Sequence, residues 1–333
     1  MSLENLESRI DYQSPIIMEK LEFYPGDNGI VKIPIGKLPS DSRISLVTHI
    51  VRHPIPGPIV LLLAGIHGDE VSAVEILRRF IELKYHNNLL KGTLIIIPLV
   101  NVVGFINFNR DAGEAKDVNR SFPGTTTGSL ASRTARAITK IILPHIDFAI
   151  DFHTGGASRV NYPQIRYLKT DNTAKEIAKA FQPPFLVEKA LIPKSFRRAA
   201  KDAGVPAVVF EGGESTRLDH YCIEQGIKGI LRVLHRCGMY GMVEDNTAKS
   251  VLIKKSIWVR ANQSGMFEWL KASGAPVTKG EILGYIRDPY GLKSNVVYAN
   301  HDGYIIGHNN ATVVHIGDAL FNIGFKNSQY EGF

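Results

Sequence analysis

The chain contains little cysteine and no long apolar run, and each absence excludes a class of protein. Of its 333 residues only Cys222 and Cys237 are cysteines, too few for a disulfide framework or a cysteine-based zinc site, so we expect a reducing, cytoplasmic setting. The longest apolar stretches, 59–66 and 94–100, fall far short of the roughly 20 residues of a membrane-spanning helix. Residues 1–15 are polar and mixed in charge, unlike a signal peptide. We therefore expect no membrane partner.

The chain also lacks runs of charge and internal repeats. Its formal net charge of +7 comes from 39 basic and 32 acidic residues that are spread along the sequence. This spread argues against nucleic-acid binding and is compatible with a small anionic substrate. Hydrophobic residues make up 44% and charged residues 21%, an ordinary balance for a globular protein of one large domain or, more in keeping with the length, two.

What the sequence does contain is a set of apolar runs of strand length that each end in a turn carrying histidine or glutamate. The first run, IVLLLAG, is continuous, as expected of a strand buried on both faces of a parallel sheet. In open α/β sheets ligands bind at the carboxyl ends of the strands. The runs are 59–65, 147–153 and 205–210, and the side chains at their ends are His67, Glu70, His153 and Glu211.

Helical periodicity between these runs predicts an α/β fold. A strand at 59–65, an amphipathic helix from Val71 and a second buried strand at 93–101 form a βαβ unit, which requires a parallel sheet. The polar segment 101–124 shows no periodicity and is long enough to be a functional loop. Further helices are predicted at 130–142, 173–181, 195–203 and 221–236.

From Val251 the helical periodicity stops and short strands alternate with turns, which predicts an all-β region. We therefore divide the chain into an α/β domain, 1–246, and a β-rich C-terminal domain, 247–333. Residues 1–42 form an N-terminal segment of short strands and turns. The predicted fold class is a mixed, mostly parallel sheet flanked by helices, followed by the all-β domain.

Two histidines and one carboxylate are a common ligand set for catalytic zinc, which keeps a fourth position open. His67 and Glu70 are three residues apart, so that one turn can bring both to a single ion, and His153 supplies the third ligand. Glu211 is then a candidate general base. A histidine and a glutamate at this spacing also recur by chance. The alternative is that His67 is a solvated loop histidine and Glu70 only begins a helix. Asp151 lies on the strand face of His153 and can support it with a hydrogen bond.

Four motifs in order, AGIHGDE, DVNRSFPG, DFHTGG and VVFEGGE, resemble the succinylglutamate desuccinylase/aspartoacylase family, relatives of the zinc carboxypeptidases. The resemblance covers about residues 50–240 and implies a zinc-carboxypeptidase-like fold with one zinc ion per chain. The segment 264–286 resembles half of a biotinyl/lipoyl-like β-hammerhead, which implies a barrel-sandwich-like C-terminal domain. That second likeness implies shared fold only, because no lysine matches the modified one of carrier domains.

By position, the resemblance implies that His67, Glu70 and His153 are the zinc ligands. Glu211 matches the glutamate that activates water and later protonates the leaving amine. Arg110 matches the arginine that polarises the scissile carbonyl and stabilises the oxyanion. These five residues would form the catalytic centre.

The resemblance also implies how the substrate is bound. Asn119 and Arg120 match a pair that grips a substrate carboxylate, and Asp117 matches a carboxylate that orients a zinc-bound histidine. Family members use a further arginine for a second carboxylate, and either Arg197 or Arg198 can be its counterpart. The alternative is that both are exposed charges on a helix surface.

The predicted function is a zinc-dependent deacylase that hydrolyses the amide bond of a small N-acyl amino acid or related N-acyl amine. Its partner is a small anionic N-acylated substrate, with no nucleic acid and no membrane. A metallocarboxypeptidase acting on peptides and a non-catalytic ligand-binding protein of the same fold are the alternatives. The acyl group, the amine, the native metal and the oligomeric state stay open, with a homo-oligomer as one option.

Overall fold

The computed structural model describes residues 3–246 and 248–326. The strands are β1 (Ile16–Met18), β2 (Leu21–Phe23), β3 (Asn28–Lys37), β4 (Arg43–Arg52), β5 (Ile59–Ala64), β6 (Thr93–Ile97), β7 (Phe148–Gly155), β8 (Arg159–Tyr167), β9 (Phe185–Glu188), β10 (Ala207–Glu214), β11 (Val251–Ile253), β12 (Lys255–Arg260), β13 (Gly265–Trp269), β14 (Pro276–Val277), β15 (Ile282–Arg287), β16 (Ser294–Tyr298), β17 (Gly303–Asn309), β18 (Val313–Val314) and β19 (Ala319–Phe325). The helices are α1 (Val71–Glu82), α2 (Val102–Ile106), α3 (Leu130–Ala137), α4 (Asn172–Phe181), α5 (Phe196–Asp202) and α6 (His220–Arg236).

A large mixed sheet forms the framework, in the order β12-β19-β17-β8-β10-β7-β5-β6-β4-β3. Its central strands β6, β5, β7 and β10 run parallel, whereas β4 and β8 pair antiparallel on either side of them. The prediction of a mixed α/β sheet with a parallel centre is confirmed. The likeness to zinc carboxypeptidases and the barrel-sandwich-like C-terminal arrangement stay predictions.

The central strands are buried on both faces because helices cover each side of the sheet. Leu61 and Leu63 of β5 pack in one core with α3 and α5, whereas Val60 and Leu62 pack in a second core with α1, α4 and α6. All residues of β5 are buried. Successive side chains of β5 thus enter two different cores, as expected of a continuous apolar run such as IVLLLAG in a strand buried on both faces.

The chain after α6 forms strands, as the sequence predicts. These strands enclose a small core of their own, and β17 also pairs with β8, which joins them to the main sheet. Residues 247 and 327–333 of the predicted C-terminal domain lie outside the described residues, and the division at 246 stays a prediction. Within the described residues, no helix combines the length and the apolar character that crossing a bilayer requires.

Two segments differ from the sequence-based prediction. The polar segment 101–124, predicted as a loop, contains α2, whose first turn is capped by the Asn101 side chain, and a 3-10 turn at Val118–Arg120. The helix predicted at 130–142 is α-helical only to Ala137 and then continues as a π-helical turn.

From the sequence, no strand is predicted at 159–167, where the structure has β8. Pro163 lies in the middle of this stretch, and a proline argues against a central strand because it cannot donate to a neighbour. The structure accommodates it at an irregularity, since the pairing of β8 with β10 shifts register between Glu211 and Gly213. This omission matters because β8 carries side chains of the candidate site.

Candidate active site

A tight turn after β5 brings His67 and Glu70 to the carboxyl edge of the sheet. Gly65 begins the turn with a φ of +65°, a conformation that glycine adopts at little cost. Gly68 packs on the backbone of α2 so closely that a Cβ atom there would lie 2.0 Å from the carbonyl carbon of Gly104. The turn thereby places both His67 and Glu70 in buried positions, at 4% and 2% exposure.

The neighbouring parallel strands supply the other two predicted residues. His153 of β7 and Glu211 of β10 are paired in register, so that they leave adjacent strands at the same level. Ligand atoms of His67, Glu70 and His153 all lie within 4.8 Å of one another. The structure therefore brings together the side chains that the strand-end argument selects.

The three buried side chains form a set that can hold a metal ion. The Nδ1 atoms of His67 and His153 are 3.2 Å apart, and the Glu70 carboxylate oxygens lie 2.6 Å and 2.9 Å from them. Tetrahedral bonds of about 2.05 Å would separate ligand atoms by about 3.3 Å. The backbone N–H of Thr154 donates to Glu70 Oε2 at 3.0 Å and fixes the carboxylate.

The outer nitrogens of the two imidazoles face carboxylates, which is the usual support of metal-binding histidines. Asp151 Oδ2 is hydrogen-bonded to Nε2 of His153 at 2.8 Å. Asp117 Oδ1 lies 3.4 Å from Nε2 of His67, a nitrogen without a hydrogen-bond partner among the described residues. If these outer nitrogens carry the protons, the inner nitrogens present lone pairs to each other and to Glu70. Such an arrangement suits a cation between them, so the residues fit a metal ion.

The pKa shifts of His153 and Glu70 reflect the carboxylates and imidazoles that surround them. Burial alone would lower the pKa of His153, but Asp151 and Glu70 outweigh it and raise this pKa well above its usual value. Burial alone would raise the pKa of Glu70, but the two histidines hold it well below the usual range. The centre therefore attracts positive charge.

Asp117 connects this centre to the predicted substrate-binding residues. Its Oδ1 accepts a hydrogen bond from the backbone N–H of Asn119 at 2.6 Å, and its Oδ2 accepts from Nη2 of Arg110 at 2.8 Å. Burial would raise the pKa of Asp117, but His67 and Arg110 together lower it. The structure thus places Asp117 beside His67, where the resemblance implies it.

Arg110 reaches from Asp117 towards the metal ligands. Its Nη1 lies 3.7 Å from Glu70 Oε1. Gly156 faces the same gap, because a Cβ there would lie 3.5 Å from Nη1 of Arg110 and 3.7 Å from Glu70 Oε1. A glycine at this position leaves room for a small group between the arginine and the ligand set.

Asn119 and Arg120 line the cleft next to Asp117. The Asn119 Oδ1 accepts a hydrogen bond from the backbone N–H of Phe196, the first residue of α5, at 2.8 Å. The amide therefore offers a ligand its Nδ2 donor. Arg120 is exposed and donates to the backbone oxygen of Asn119 at 2.7 Å.

The structure distinguishes between the two candidate arginines of α5. Arg198 is exposed and pairs with Asp202 at 3.0 Å. Arg197 is 8% exposed and donates through Nη2 to the backbone oxygens of Lys189 and Ala190, while its buried Nη1 meets no acceptor in the described part of the chain. Burial, and secondly the charge of Arg166, lowers its pKa to about 10. An unpaired buried N–H is costly unless a ligand accepts it.

Two residues that the sequence analysis missed hold Glu211. Nη1 of Arg166 donates to Oε1 of Glu211 at 2.6 Å, and Nδ2 of Asn161 donates to Oε2 at 2.8 Å. Both belong to β8. The available signal is the run of valine, tyrosine and isoleucine at 160–167, which is typical of a strand apart from Pro163.

All the predicted site residues except Asp117 line one cleft of about 580 Å³. The C-terminal strands contribute Trp258 and Asn322, which are paired in register, and the Trp258 ring packs 5.8 Å from the guanidinium of Arg159. Among the described residues that line the cleft, the cationic side chains are Arg110, Arg120, Arg159, Arg166, Lys189 and Arg197, and the acidic ones are Glu70, Asp151 and Glu211. The cleft therefore favours an anion.

Comparisons with known proteins show which proteins the chain is similar to. Residues 56–237 match the succinylglutamate desuccinylase/aspartoacylase catalytic domain family. N-alpha-acetyl-L-2,4-diaminobutyric acid deacetylase from Halomonas elongata is 26% identical over 314 residues, 88% of this chain and 90% of that protein. The product-bound ectoine utilization protein EutE (DoeB) from Ruegeria pomeroyi, 24% identical, has a TM-score of 0.81 and covers 94% of this chain and 98% of its own.

A second solved structure, the succinylglutamate desuccinylase/aspartoacylase from Rhodobacter sphaeroides, is 23% identical with a TM-score of 0.80, covering 90% of this chain and 95% of its own. Both structures share the fold of this chain over the parts that they cover. The family match spans more than half of the 333 residues and contains every predicted site residue from His67 to Glu211. The chain belongs to the succinylglutamate desuccinylase/aspartoacylase family.

Proposed function

We propose that this protein is a zinc-dependent deacylase that hydrolyses the amide bond of a small N-acyl amino acid or a related N-acyl amine. The observation that carries the proposal is the convergence of His67, Glu70 and His153 in a cationic cleft that Glu211 also lines. The deacetylase activity named for the Halomonas elongata relative supports it.

His67, Glu70 and His153 would hold the zinc ion. Two imidazoles and one carboxylate suit zinc, whereas magnesium and calcium prefer oxygen ligands alone. When bound, zinc supplies an activated water nucleophile near neutral pH. Glu211 takes a proton from the attacking water and delivers it to the amine nitrogen as the carbon–nitrogen bond breaks. Arg110 donates to the carbonyl oxygen, on which negative charge develops.

The acid group of the substrate would lie between Asn119 and Arg197. Asn119 offers Nδ2, and a carboxylate would satisfy the buried Nη1 of Arg197. Arg120 lies at the same cleft and can pair with a second acidic group. Each of these groups donates hydrogen bonds, which suits an acidic amino acid.

The cleft disfavours an amino acid with a cationic side chain. Its three acidic side chains are already engaged, because Glu70 and Asp151 contact the histidines and Glu211 pairs with Arg166. An amine beside Arg120 and Arg197 would face like charges, which costs several kcal/mol. We therefore expect a substrate unlike the diaminobutyric acid derivative named for the Halomonas elongata relative.

The proposal is tested by free amine release from a panel of N-acyl amino acids incubated with the zinc-loaded protein. The panel combines acetyl, succinyl and longer acyl groups with aspartate, glutamate and 2,4-diaminobutyrate, and it includes short peptides. We expect one acidic derivative to be cleaved with a kcat/KM at least about tenfold above its diaminobutyrate counterpart. His67→Ala protein is the inactive control. Cleavage of peptides alone would support the carboxypeptidase alternative, and bound ligand without turnover would support the binding alternative.

Arg197→Met is expected to raise KM for the acidic substrate by about 10- to 100-fold, because a charged hydrogen bond to the carboxylate contributes about 1.5–3 kcal/mol. Arg198→Met is the matched control, since Arg198 is the adjacent residue but is exposed and paired with Asp202. Steady-state kinetics of both variants measures the difference. Equal KM values in the two variants would remove Arg197 from the acid-binding site.

We also propose a cellular setting and a partner for the protein. Cys222 and Cys237 are both buried and unpaired, which agrees with a reducing cytoplasmic compartment. Burial raises the pKa of both thiols, so neither is poised as a nucleophile at neutral pH. We propose one zinc ion per chain and a small anionic substrate as the partner, with neither nucleic acid nor membrane.

A further inference from the structure

We propose that the C-terminal strand β17 is a positioning part of the active site, which fixes the carboxylate of Glu211 through two side-chain connections across β8. The inference rests on the proposed function, since it assigns the strand a role in placing the general base. One connection runs through Gln164 and Arg166, and the other runs through Asn161.

The first connection is a chain of hydrogen bonds that begins at the backbone of β17. The fully buried Gln164 donates from Nε2 to the backbone oxygen of Ile306 at 3.0 Å. Its Oε1 accepts from Nε of Arg166 at 3.3 Å, and Arg166 donates from Nη1 to Glu211 at 2.6 Å. Because Gln164 uses both ends of its amide, it fixes the plane of the guanidinium that holds Glu211.

The second connection is steric as well as polar. Asn161 donates to Oε2 of Glu211 at 2.8 Å and is paired in register with Gly307 of β17. A Cβ atom at Gly307 would lie 2.6 Å from Oδ1 of Asn161. Gly307 does not have a left-handed backbone, so the requirement for glycine there is one of space. The absent side chain leaves Asn161 free to reach Glu211.

Together the two connections hold both oxygens of one carboxylate. A glutamate attached to a strand by rotatable bonds would otherwise sample several positions. Each carboxylate oxygen has two lone pairs, so Arg166 and Asn161 can occupy one on each and leave the others for water. A displacement of about 1 Å in a reacting group can lower turnover about 100-fold. We therefore expect β17 to affect kcat, although it lies far from the proposed metal ligands in the sequence.

The test uses Gly307→Ala, a change on β17 that adds a methyl group next to Asn161. We expect kcat to fall by about 10- to 100-fold with KM changed less than about threefold and zinc content unaltered. Gly241→Ala is the matched control, because a Cβ there would meet no described atom within 4 Å and the backbone is not left-handed. The control should retain the kcat of the unaltered protein.

A double-mutant cycle separates positioning from general damage to the strand. In an Asn161→Ala background, Gly307→Ala should cause little further loss of kcat, because the group that it displaces is gone. For the first connection, Arg166→Met should lower kcat about 100-fold, and Arg166→Lys should recover part of that loss. Full additivity of Gly307→Ala and Asn161→Ala, or an unchanged kcat in Gly307→Ala, would overturn the proposal.

A crystal structure of Gly307→Ala gives a readout that does not depend on turnover. We expect the hydrogen bond between Asn161 and Glu211 to be broken in Gly307→Ala and retained in Gly241→Ala. If the protein cleaves nothing on the substrate panel but the bond is broken as expected, the proposed function fails while the connection stands. If the bond persists in Gly307→Ala, the positioning inference fails even in an active deacylase.

Discussion

Replacing Glu211 by glutamine is expected to lower kcat about 1,000-fold while zinc content stays at one per chain, because an amide cannot accept the proton of the attacking water. Glutamine keeps the shape of the side chain. Its carbonyl oxygen can accept from Arg166, and Asn161 can turn its amide to accept from the new NH2 group. The loss is therefore chemical and not structural. Single-turnover kinetics and elemental analysis of the same preparation measure both quantities.

The matched control for this change is Glu214→Gln, which alters a carboxylate three residues further along β10. Glu214 pairs with Arg217 at 3.5 Å and is not among the residues that line the cleft. Its replacement should leave kcat within about twofold, since it touches neither the metal ligands nor the cleft. Loss of zinc from Glu211→Gln would make Glu211 a ligand, and full activity would place the general base elsewhere.

The second large effect is expected for His153→Ala, which should lose zinc and with it all measurable turnover. The substitution leaves His67 and Glu70 as the remaining proposed protein ligands. It also removes the hydrogen bond between His153 and Asp151 Oδ2, for which the described residues offer no other partner. Losing one of three ligands lowers metal affinity by far more than the 10- to 100-fold typical of changes to supporting carboxylates. Metal per chain after gel filtration, with the free zinc concentration buffered, measures the loss.

His220→Ala is the control for the second prediction. His220 is exposed at the first position of α6, where its ring nitrogen lies 3.4 Å from Arg79, and no strand end carries it. Its replacement should leave one zinc per chain. A His153→Ala protein that still binds zinc with unaltered affinity would contradict the ligand set, whatever its activity.

The proposed metal ligands could be located in the sequence because each follows an apolar run of strand length, and parallel strands end at one edge of a sheet. His67, Glu70, His153 and Glu211 each follow a recognisable apolar run, and the structure brings them together. Their meeting follows once the strands are taken as parallel, whatever the order in which they pair. Pairings that the sequence does not reveal, such as that of β8 with β10, therefore did not prevent the prediction of these four residues.

The remaining site residues depend on information that lies outside any one segment. Arg166 and Asn161 belong to a strand that Pro163 disguises, and they face Glu211 only because β8 pairs with β10. The choice between Arg197 and Arg198 is a matter of helix rotation, since consecutive residues point about 100° apart. Trp258 and Asn322 reach the cleft through strand pairing between distant residues, which spacing does not encode.

The hydrogen bond from the backbone N–H of Phe196 fixes the orientation of the Asn119 amide, so that its NH2 group faces the ligand. The amide cannot turn over to present an oxygen to the cleft without leaving the first N–H of α5 unpaired, at a cost of about 1 kcal/mol or more. An inhibitor must therefore place an acceptor, such as a carboxylate, phosphonate or carbonyl oxygen, opposite Asn119. A compound that places an ammonium group there would have two donors facing each other, and it should bind less tightly even where its shape fits.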